Sequence, residues 1–354
     1  MQSTETQEKL FRYLTTVFLI LMLVGTFVAC QSGDSKGNDN DNIGNAQNFG
    51  NSEGDSQNDT TGNDEDADNI DNGEDIIENS ETIYPLILKD SNGNEIIIEE
   101  EPTRIISVAP SITEIIYALG KDDKLVGRTD YDDYPEQVNE VESVGSITNP
   151  NVEKIIELNP DVVIASAHFK EDVAKKLEDL GIKIVVFYDA NDISGAYDAI
   201  NSMGQIVNAQ DSAQELVDSM KIKIDEIKEK VQGQEAPKVY YVVGFGQYGD
   251  YTATGETFIA QMIEIAGGDN IAKDASDWMY SLEKIIEHDP EYIIVSKNYG
   301  MKDGFTTTDG YKELTAVKNN KVIEIDDNLL NRQGPRLAEG IETLAEIFHP
   351  DLFE

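Results

Sequence analysis

The chain has one cysteine, Cys30, and three histidines, His168, His288 and His349. A single thiol excludes an intramolecular disulfide framework and Cys-based zinc sites. The three imidazoles are scattered, with His288 closing a predicted helix and His349 near the C-terminus. That scatter argues against a zinc or manganese receptor, which needs imidazoles and carboxylates meeting at one point. Positive charge is scarce: 27 Lys and Arg stand against 69 Asp and Glu, a formal net charge of −42 spread over the whole chain. This balance disfavours nucleic acid and direct adhesion to anionic lipid, and favours basic partners. Catalytic signatures are missing as well, with no Gly-x-Ser-x-Gly elbow between a strand and a helix, no Walker loop and no His-Glu-x-x-His helix. Gly244-Phe245-Gly246 follows a strand-like run, but it lacks the third glycine of a dinucleotide fingerprint, and Tyr248-Gly249-Asp250-Tyr251 comes next instead of a helix start. The expectation is a binding protein and not an enzyme.

What is present begins at the N-terminus. Lys9 and Arg12 precede an uncharged apolar run from Tyr13 to Val28, which ends in Val28-Ala29-Cys30. The run is shorter than the roughly 20 apolar residues of a membrane-spanning helix, and small residues follow it, as in a secretory signal. The segment resembles a bacterial lipoprotein signal, with Phe27 where leucine is usual. The resemblance implies removal of residues 1–29, lipidation of Cys30 and residence on the extracytoplasmic face of the cell membrane. Residues 30–82 consist mainly of Asn, Asp, Gly, Ser and Glu, with Lys36 as their only basic residue. So few apolar side chains cannot offset the entropy of ordering, and a disordered acidic tether with an end-to-end distance of roughly 40 Å is expected. Its Asp-Asn pairs lack the Gly and Glu spacing of a calcium loop.

Residues 83–354 are long enough for two lobes with separate cores. Leu86 to Leu88 and Glu95 to Ile98 flank Asp90-Ser91-Asn92-Gly93-Asn94 and read as a hairpin. Strand-like runs at 104–109, 124–129, 161–167 and 183–188 then alternate with helix-like runs at 111–119, 152–158, 171–180 and 193–207. Alternation of this kind predicts a mainly parallel sheet covered by helices. Leu216, Val217, Met220, Ile224, Ile227 and Val231 recur at three- or four-residue spacing and predict one long helix over 210–232. Beyond Pro237, strand-like 239–243, 292–296 and 322–325 alternate with helix-like 257–266 and 335–348. Residues 151–164 align without gaps on 281–294, and seven of the fourteen positions are identical, enough to suggest two similar lobes, 83–209 and 233–354, on either side of the long helix. In each copy Asn151 or Ser281 starts a short helix, Pro160 or Pro290 stops it, and a β-rich run follows.

Several segments carry a family resemblance: Arg104-Ile105-Ile106-Ser107-Val108-Ala109-Pro110-Ser111-Ile112-Thr113-Glu114, Val126-Gly127-Arg128-Thr129-Asp130-Tyr131, Asn149-Pro150-Asn151-Val152-Glu153-Lys154-Ile155, Gly267-Gly268-Asp269-Asn270-Ile271-Ala272, Ser276-Asp277-Trp278 and Gly334-Pro335-Arg336. In this order the chain closely resembles the periplasmic-binding family that serves ABC importers of vitamin B12, haem and ferric siderophores. The resemblance implies two Rossmann-like α/β lobes joined by a single long helix, with a ligand cleft between them that is largely pre-formed. It also implies a monomer that meets a permease dimer, docked through a glutamate on each lobe. Glu153 and Glu283 occupy matching places in the repeat and are the docking candidates. A first-turn glutamate is also favoured by the helix macrodipole alone.

The ligand surface is expected from loops at the carboxyl ends of strands. In the first lobe these loops hold Pro110, Ser111, Tyr131, Ile147, Asn149 and His168, and in the second Phe245, Trp278, Tyr299 and the Leu329 to Arg332 loop. Tyr131 and Trp278 lead, because flat aromatic faces bury much area on a flat macrocycle for little rotamer entropy. Phe245 is equally compatible with core packing. Vitamin B12-binding members tend to carry more tryptophans, and Ile147, Ser166 and Leu329 stand where the resemblance would place them. Arg332 is the candidate cation for an anionic siderophore, whereas Arg128 and Arg336 also suit structural roles. His168 is a candidate axial ligand for a haem iron or a cobalt centre, or a neutral hydrogen-bonded imidazole. No cofactor of the protein's own is expected, since the cargo would carry the cobalt or iron. A corrinoid is the first expectation for that cargo, with haem or a ferric siderophore as the alternative.

Overall fold

The structure, a computed structural model, describes residues 81–354 apart from Ala167 and residues 188–190. The expected signal, Cys30 and nearly all of the expected tether lie outside the described residues. The tether's last expected residue, Thr82, is already held: its N–H donates to Asn208 Oδ1 at 2.8 Å and its hydroxyl to Gln205 O at 2.8 Å. Fixed structure therefore extends one residue further back than composition suggests, because hydrogen bonds to a distant helix end leave no trace in local composition.

The hairpin forms as expected. β1 (Leu86–Lys89) and β2 (Glu95–Ile98) pair antiparallel, with Leu86 opposite Ile98 and Lys89 opposite Glu95. Gly93 takes φ 85°, and the buried Asp90 carboxylate accepts the Asn94 N–H at 2.8 Å.

Two parallel sheets follow. The first lobe contains β3 (Ile105–Val108), α1 (Pro110–Ala118), β4 (Leu125–Gly127), α2 (Val152–Leu158), β5 (Val162–Ser166), α3 (Glu171–Glu178), β6 (Lys183–Phe187) and α4 (Ser194–Ile206). The connecting α5 (Gln210–Val231) leads to β7 (Lys238–Tyr241), α6 (Phe258–Ile265), β8 (Asp269–Asn270), α7 (Leu282–His288) and β9 (Tyr292–Ser296). The second lobe is completed by α8 (Met301–Thr307), α9 (Thr315–Lys318), β10 (Val322–Ile325), α10 (Asn328–Asn331) and α11 (Leu337–Phe348). The sheet orders are β4-β3-β5-β6 and β8-β7-β9-β10. Each sheet thus places its strands in the same order, and the architecture is two α/β lobes of one topology. Strands such as β5 are buried on both faces because helices cover both sides, hence the unbroken apolar run Val162-Val163-Ile164-Ala165.

The sequence repeat maps onto equivalent places in the two lobes. α2 and α7 each end in a left-handed residue, Asn159 at φ 45° and Asp289 at φ 44°, before a proline and the third strand of the sheet. Asn and Asp tolerate that conformation better than other residues with a Cβ. Their starts differ. The Asn151 side chain accepts the Lys154 N–H at 3.2 Å, but Ser281 makes no side-chain cap and is instead hydrogen-bonded to the Glu283 carboxylate.

The expected pair of separate cores is only partly realised. Each lobe has an outer apolar cluster of its own, one around Ile106, Ile155 and Val163, the other around Tyr240, Ile285 and Ile293. The inner cluster is continuous, however, running from Ile105 and Ile115 in the first lobe through Val217, Met220, Ile224 and Ile227 of α5 to Ile263 and Ile341 in the second. The buried stripe of α5 is the reason, since one helix contributes to both halves. At Gly204 in α4 an added Cβ would lie 2.6 Å from the Ala213 Cβ, so the two helices meet closely there. Ile224 is 1% exposed in this shared stripe. Ile224→Ala is expected to lower stability by about 2–5 kcal/mol, read as a shifted midpoint of a single urea transition. Two resolved transitions would contradict the shared core. Among the described residues no helix is long and apolar enough to cross a membrane.

Candidate functional site: the cleft between the lobes

In each sheet the chain reverses its direction of progress between the first and third strands, so the crevice beyond their carboxyl ends is the natural place for a ligand. At this switch point in the first lobe lie Pro110 and Ser111, opening α1, and His168 after β5. In the second lie the loop after β7 and, after β9, Tyr299. Pro110, Ser111, Ile147 and His168 are half-buried, and Asn149 is exposed with its N–H on Ser146 Oγ at 3.1 Å.

A polar seam joins the two sides. The Glu114 carboxylate, on α1, has a side chain only 1% exposed and accepts from Arg332 Nη1 at 2.8 Å, from Arg336 Nε at 2.9 Å and from Arg336 Nη2 at 2.6 Å. Arg332 also donates to Asp133 Oδ1 at 2.7 Å and to the Tyr131 carbonyl at 2.9 Å. Asn328 Nδ2 reaches Asp133 Oδ2 at 3.0 Å, and the Arg336 guanidinium lies 4.0 Å above the Tyr134 ring. Gln333 Nε2 donates to Asp192 O at 3.0 Å, and a Cβ at Gly334 would meet Ser111 O at 3.5 Å. Of these residues Ser111, Tyr131 and Arg332 are among the expected site residues. The others carried one usable signal: Glu114 is a lone acid inside Ile112-Thr113-Glu114-Ile115-Ile116, and a buried carboxylate needs a cationic partner.

Above the seam, Tyr131 and Tyr299 are each 49% exposed. Burial, then the Asp327 charge and then Tyr131 push the Tyr299 hydroxyl above its ordinary pKa. Tyr299 therefore stays a neutral phenol at physiological pH. The buried Asp327 carboxylate beneath it accepts from Ser296 Oγ at 2.7 Å and Asn298 Nδ2 at 3.1 Å, fixing the loop that carries it. Trp278 is partly buried against the inner cluster, with its N–H on Thr254 Oγ1 at 3.2 Å and its carbonyl accepting from Thr252 N–H at 2.9 Å.

The backbone marks two of these three aromatics. Seven described residues other than glycine have positive φ, and five of them are Asn or Asp. The remaining two are Trp278 at φ 60° and Tyr299 at φ 60°. An aromatic residue in the left-handed region is strained by about 1–3 kcal/mol, and such strain concentrates where a side chain is held for a ligand.

Three expected cleft residues are placed otherwise. Phe245 packs edge-on against Phe305 at 5.2 Å and Tyr311 at 5.6 Å, within the outer core of the second lobe. Leu329 is 8% exposed on the one-turn helix α10, so the expected loop is helical and its leucine turns inward. Arg332 has a side chain 11% exposed and its guanidinium is spent on the seam, which withdraws it as a cation for an anionic ligand. In all three the short-range pattern placed the residue near the cleft, but tertiary packing set the direction of its side chain.

Glu153 and Glu283 are both exposed, on α2 and α7 respectively. The Glu283 carboxyl is held below its usual range by hydrogen bonds from its own backbone and from Ser281. A cavity of about 630 Å³ lies beside the start of α7, lined by residues that include Gly246 and Asp250 from the segment after β7, Met279, Tyr280, Glu283 and Tyr311. No group of three or more His, Cys, Asp or Glu among the described residues is arranged to hold a metal ion.

Comparison with known proteins agrees with this geometry. A family profile described as periplasmic binding protein matches residues 105–329. An uncharacterized ABC transporter substrate-binding lipoprotein of Bacillus subtilis, YvrC, is 36% identical over 278 residues, covering 77% of this chain and 88% of that protein. A cobalamin-binding protein of Halobacterium salinarum is 27% identical over 279 residues, covering 75% of this chain and 74% of that one. Among solved structures, a possible iron-binding (periplasmic solute-binding) protein of Staphylococcus epidermidis superposes with a TM-score of 0.63 at 32% identity, covering 71% of this chain and 100% of that one.

Proposed function

Since this chain belongs to the periplasmic binding protein family and is the substrate-binding protein of an ABC importer, we propose that its cargo is a corrinoid, received between Tyr131, Tyr299 and Trp278. The observation that carries this reading is the commitment of Arg332 to Glu114, Asp133 and the Tyr131 carbonyl. A polyanionic siderophore would need a free cation in the cleft, whereas a corrinoid is held largely by apolar and aromatic area. The cobalamin-binding relative supports the same choice. A haem reading has one observation in its favour, the half-buried His168 at the switch point of the first sheet, placed where an axial imidazole would be wanted. We further propose that Cys30 is lipidated, that residues 30–82 tether the binding domain outside the cytoplasm, and that Glu153 and Glu283 dock it on the permease pair as a monomer. The family binds solutes for transport, and no catalytic step is assigned to this chain.

Trp278 is the chain's only tryptophan, so its fluorescence reports the cleft directly. Cyanocobalamin and cobinamide should quench it saturably at micromolar concentration or below, where haem and ferric siderophores leave it unchanged. Trp278→Phe should weaken corrinoid binding about tenfold, measured by equilibrium dialysis. Saturable quenching by haem alone, lost in His168→Ala, would select the haem reading. Quenching by a ferric siderophore alone would overturn both.

A further inference from the structure

Ile155 and Ile285 are fully buried, at 0% exposure, and tie α2 and α7 to their sheets. The next residue in each helix does the opposite: Ile156 is 44% exposed and Ile286 50%. Single exposed isoleucines are ordinary on protein surfaces. These two occupy the same position of a repeat in which half of the residues have diverged, seven of fourteen. Neither intrinsic helix propensity nor packing within the lobe calls for a β-branched apolar side chain there.

Helical spacing adds the rest of the face. Glu153, Ile156 and Glu157 lie three and four residues apart on one side of α2, and Glu283, Ile286 and Glu287 do the same on α7. The intervening lysines are turned elsewhere. Lys154 pairs with Glu142 and donates to the Ser143 carbonyl at 3.1 Å, and Lys284 lies 5.4 Å from the Tyr280 ring centroid. Each lobe thus shows an exposed isoleucine framed by carboxylates.

We propose that Ile156 and Ile286 are paired apolar anchors that seat in two equivalent, basic-rimmed recesses of a two-fold symmetric partner, the permease pair of the importer. This rests on the reading of Glu153 and Glu283 as docking residues. Two copies of one motif on one rigid body match two copies of one recess. The sign of the frame disfavours the other occupants: an anionic membrane surface and a second copy of this acidic face would both be repelled. In such an arrangement the carboxylates set approach and orientation, and the desolvated isoleucines slow dissociation.

The test places a benzophenone amino acid at position 156 or 286 of the full chain, in membranes of the producing cells, with position 222 as control because Ile222 is 61% exposed on α5. Positions 156 and 286 should both crosslink to the same multi-spanning protein, with the adduct lost in the Glu153→Ala, Glu283→Ala background, and position 222 should not. This measurement does not depend on the identity of the cargo. In parallel, Ile156→Ser with Ile286→Ser should slow uptake of labelled cyanocobalamin about tenfold or more while leaving its binding unchanged. Adducts with lipid or with a second copy of the chain, or no adduct, would overturn the proposal. Normal uptake in the isoleucine variant beside lost uptake in the glutamate variant would overturn the anchors and leave the docking reading standing; normal uptake in both would overturn both.

Discussion

Replacing Glu114 with alanine should lower the stability of the folded protein by about 3–5 kcal/mol, the range for removing one partner of a buried ion pair. The wild-type carboxylate is 1% exposed and takes three hydrogen bonds, at 2.8, 2.9 and 2.6 Å, from two guanidiniums whose side chains are 11% and 13% exposed. Without it Arg332 and Arg336 remain buried with much of their charge uncompensated. Glu114→Gln should fall between the two, because the amide oxygen still accepts hydrogen bonds but carries no charge. Glu114→Leu combined with Arg332→Met and Arg336→Met should recover much of the loss, since well-packed apolar replacements avoid the desolvation penalty altogether. Ligand affinity should not recover with it. Arg332 also holds the Tyr131 carbonyl and Asp133, so the triple variant leaves the cleft wall unanchored even where the fold is restored. Urea unfolding and a ligand titration on the same samples separate the two effects. A loss below about 1 kcal/mol in Glu114→Ala would mean that water reaches the seam and that it does not brace the lobes.

The elements that could be read in advance are those whose signal is local and repeated. The long helix showed its buried stripe at three- and four-residue spacing, and the doubly buried strands showed apolar runs closed by Pro or Gly. The duplicated segment foretold two lobes of one kind because cap, proline and strand recur in the same places. Elements without a local signature were not legible. β8 is two residues, Asp269 and Asn270, recruited by the edge of β7 with no β-forming side chain between them, and α8, with Thr306, Thr307 and two other residues of weak helix propensity, is specified by Met301 and Phe305 entering the outer core. The site divides in the same way. Strand ends suggested Tyr131, His168 and Tyr299, but whether Phe245 and Arg332 turn toward the cleft or away depends on partners more than 50 residues distant, Phe305 and Glu114. The left-handed backbone of Trp278 and Tyr299 lies beyond propensity altogether, since no rule of local sequence places an aromatic residue there.

Removing both of the carboxylates proposed to dock on the permease, Glu153→Ala with Glu283→Ala, should abolish uptake while leaving ligand affinity and stability unchanged within error. Each carboxylate is exposed on the first turn of its own helix, so loss of its macrodipole contribution amounts to a few tenths of a kcal/mol. Against a basic partner the same groups act as close charge pairs, for which coupling of about 2 kcal/mol each is a modest value. One variant should then weaken association about thirtyfold and the pair about a thousandfold, provided the two contacts are independent and far apart. Because the charges sit at exposed rims, the wild-type association rate should fall steeply with added salt and the double variant should lose that dependence. Charge reversal, Glu153→Lys with Glu283→Lys, should be worse than alanine, since repulsion replaces a lost attraction. The isoleucines that follow in each helix should respond differently, altering dissociation with little effect on the salt slope. An alanine double variant that still imports normally would leave the two acids as helix-start residues and nothing more, and would require another surface of this strongly acidic chain to meet the importer.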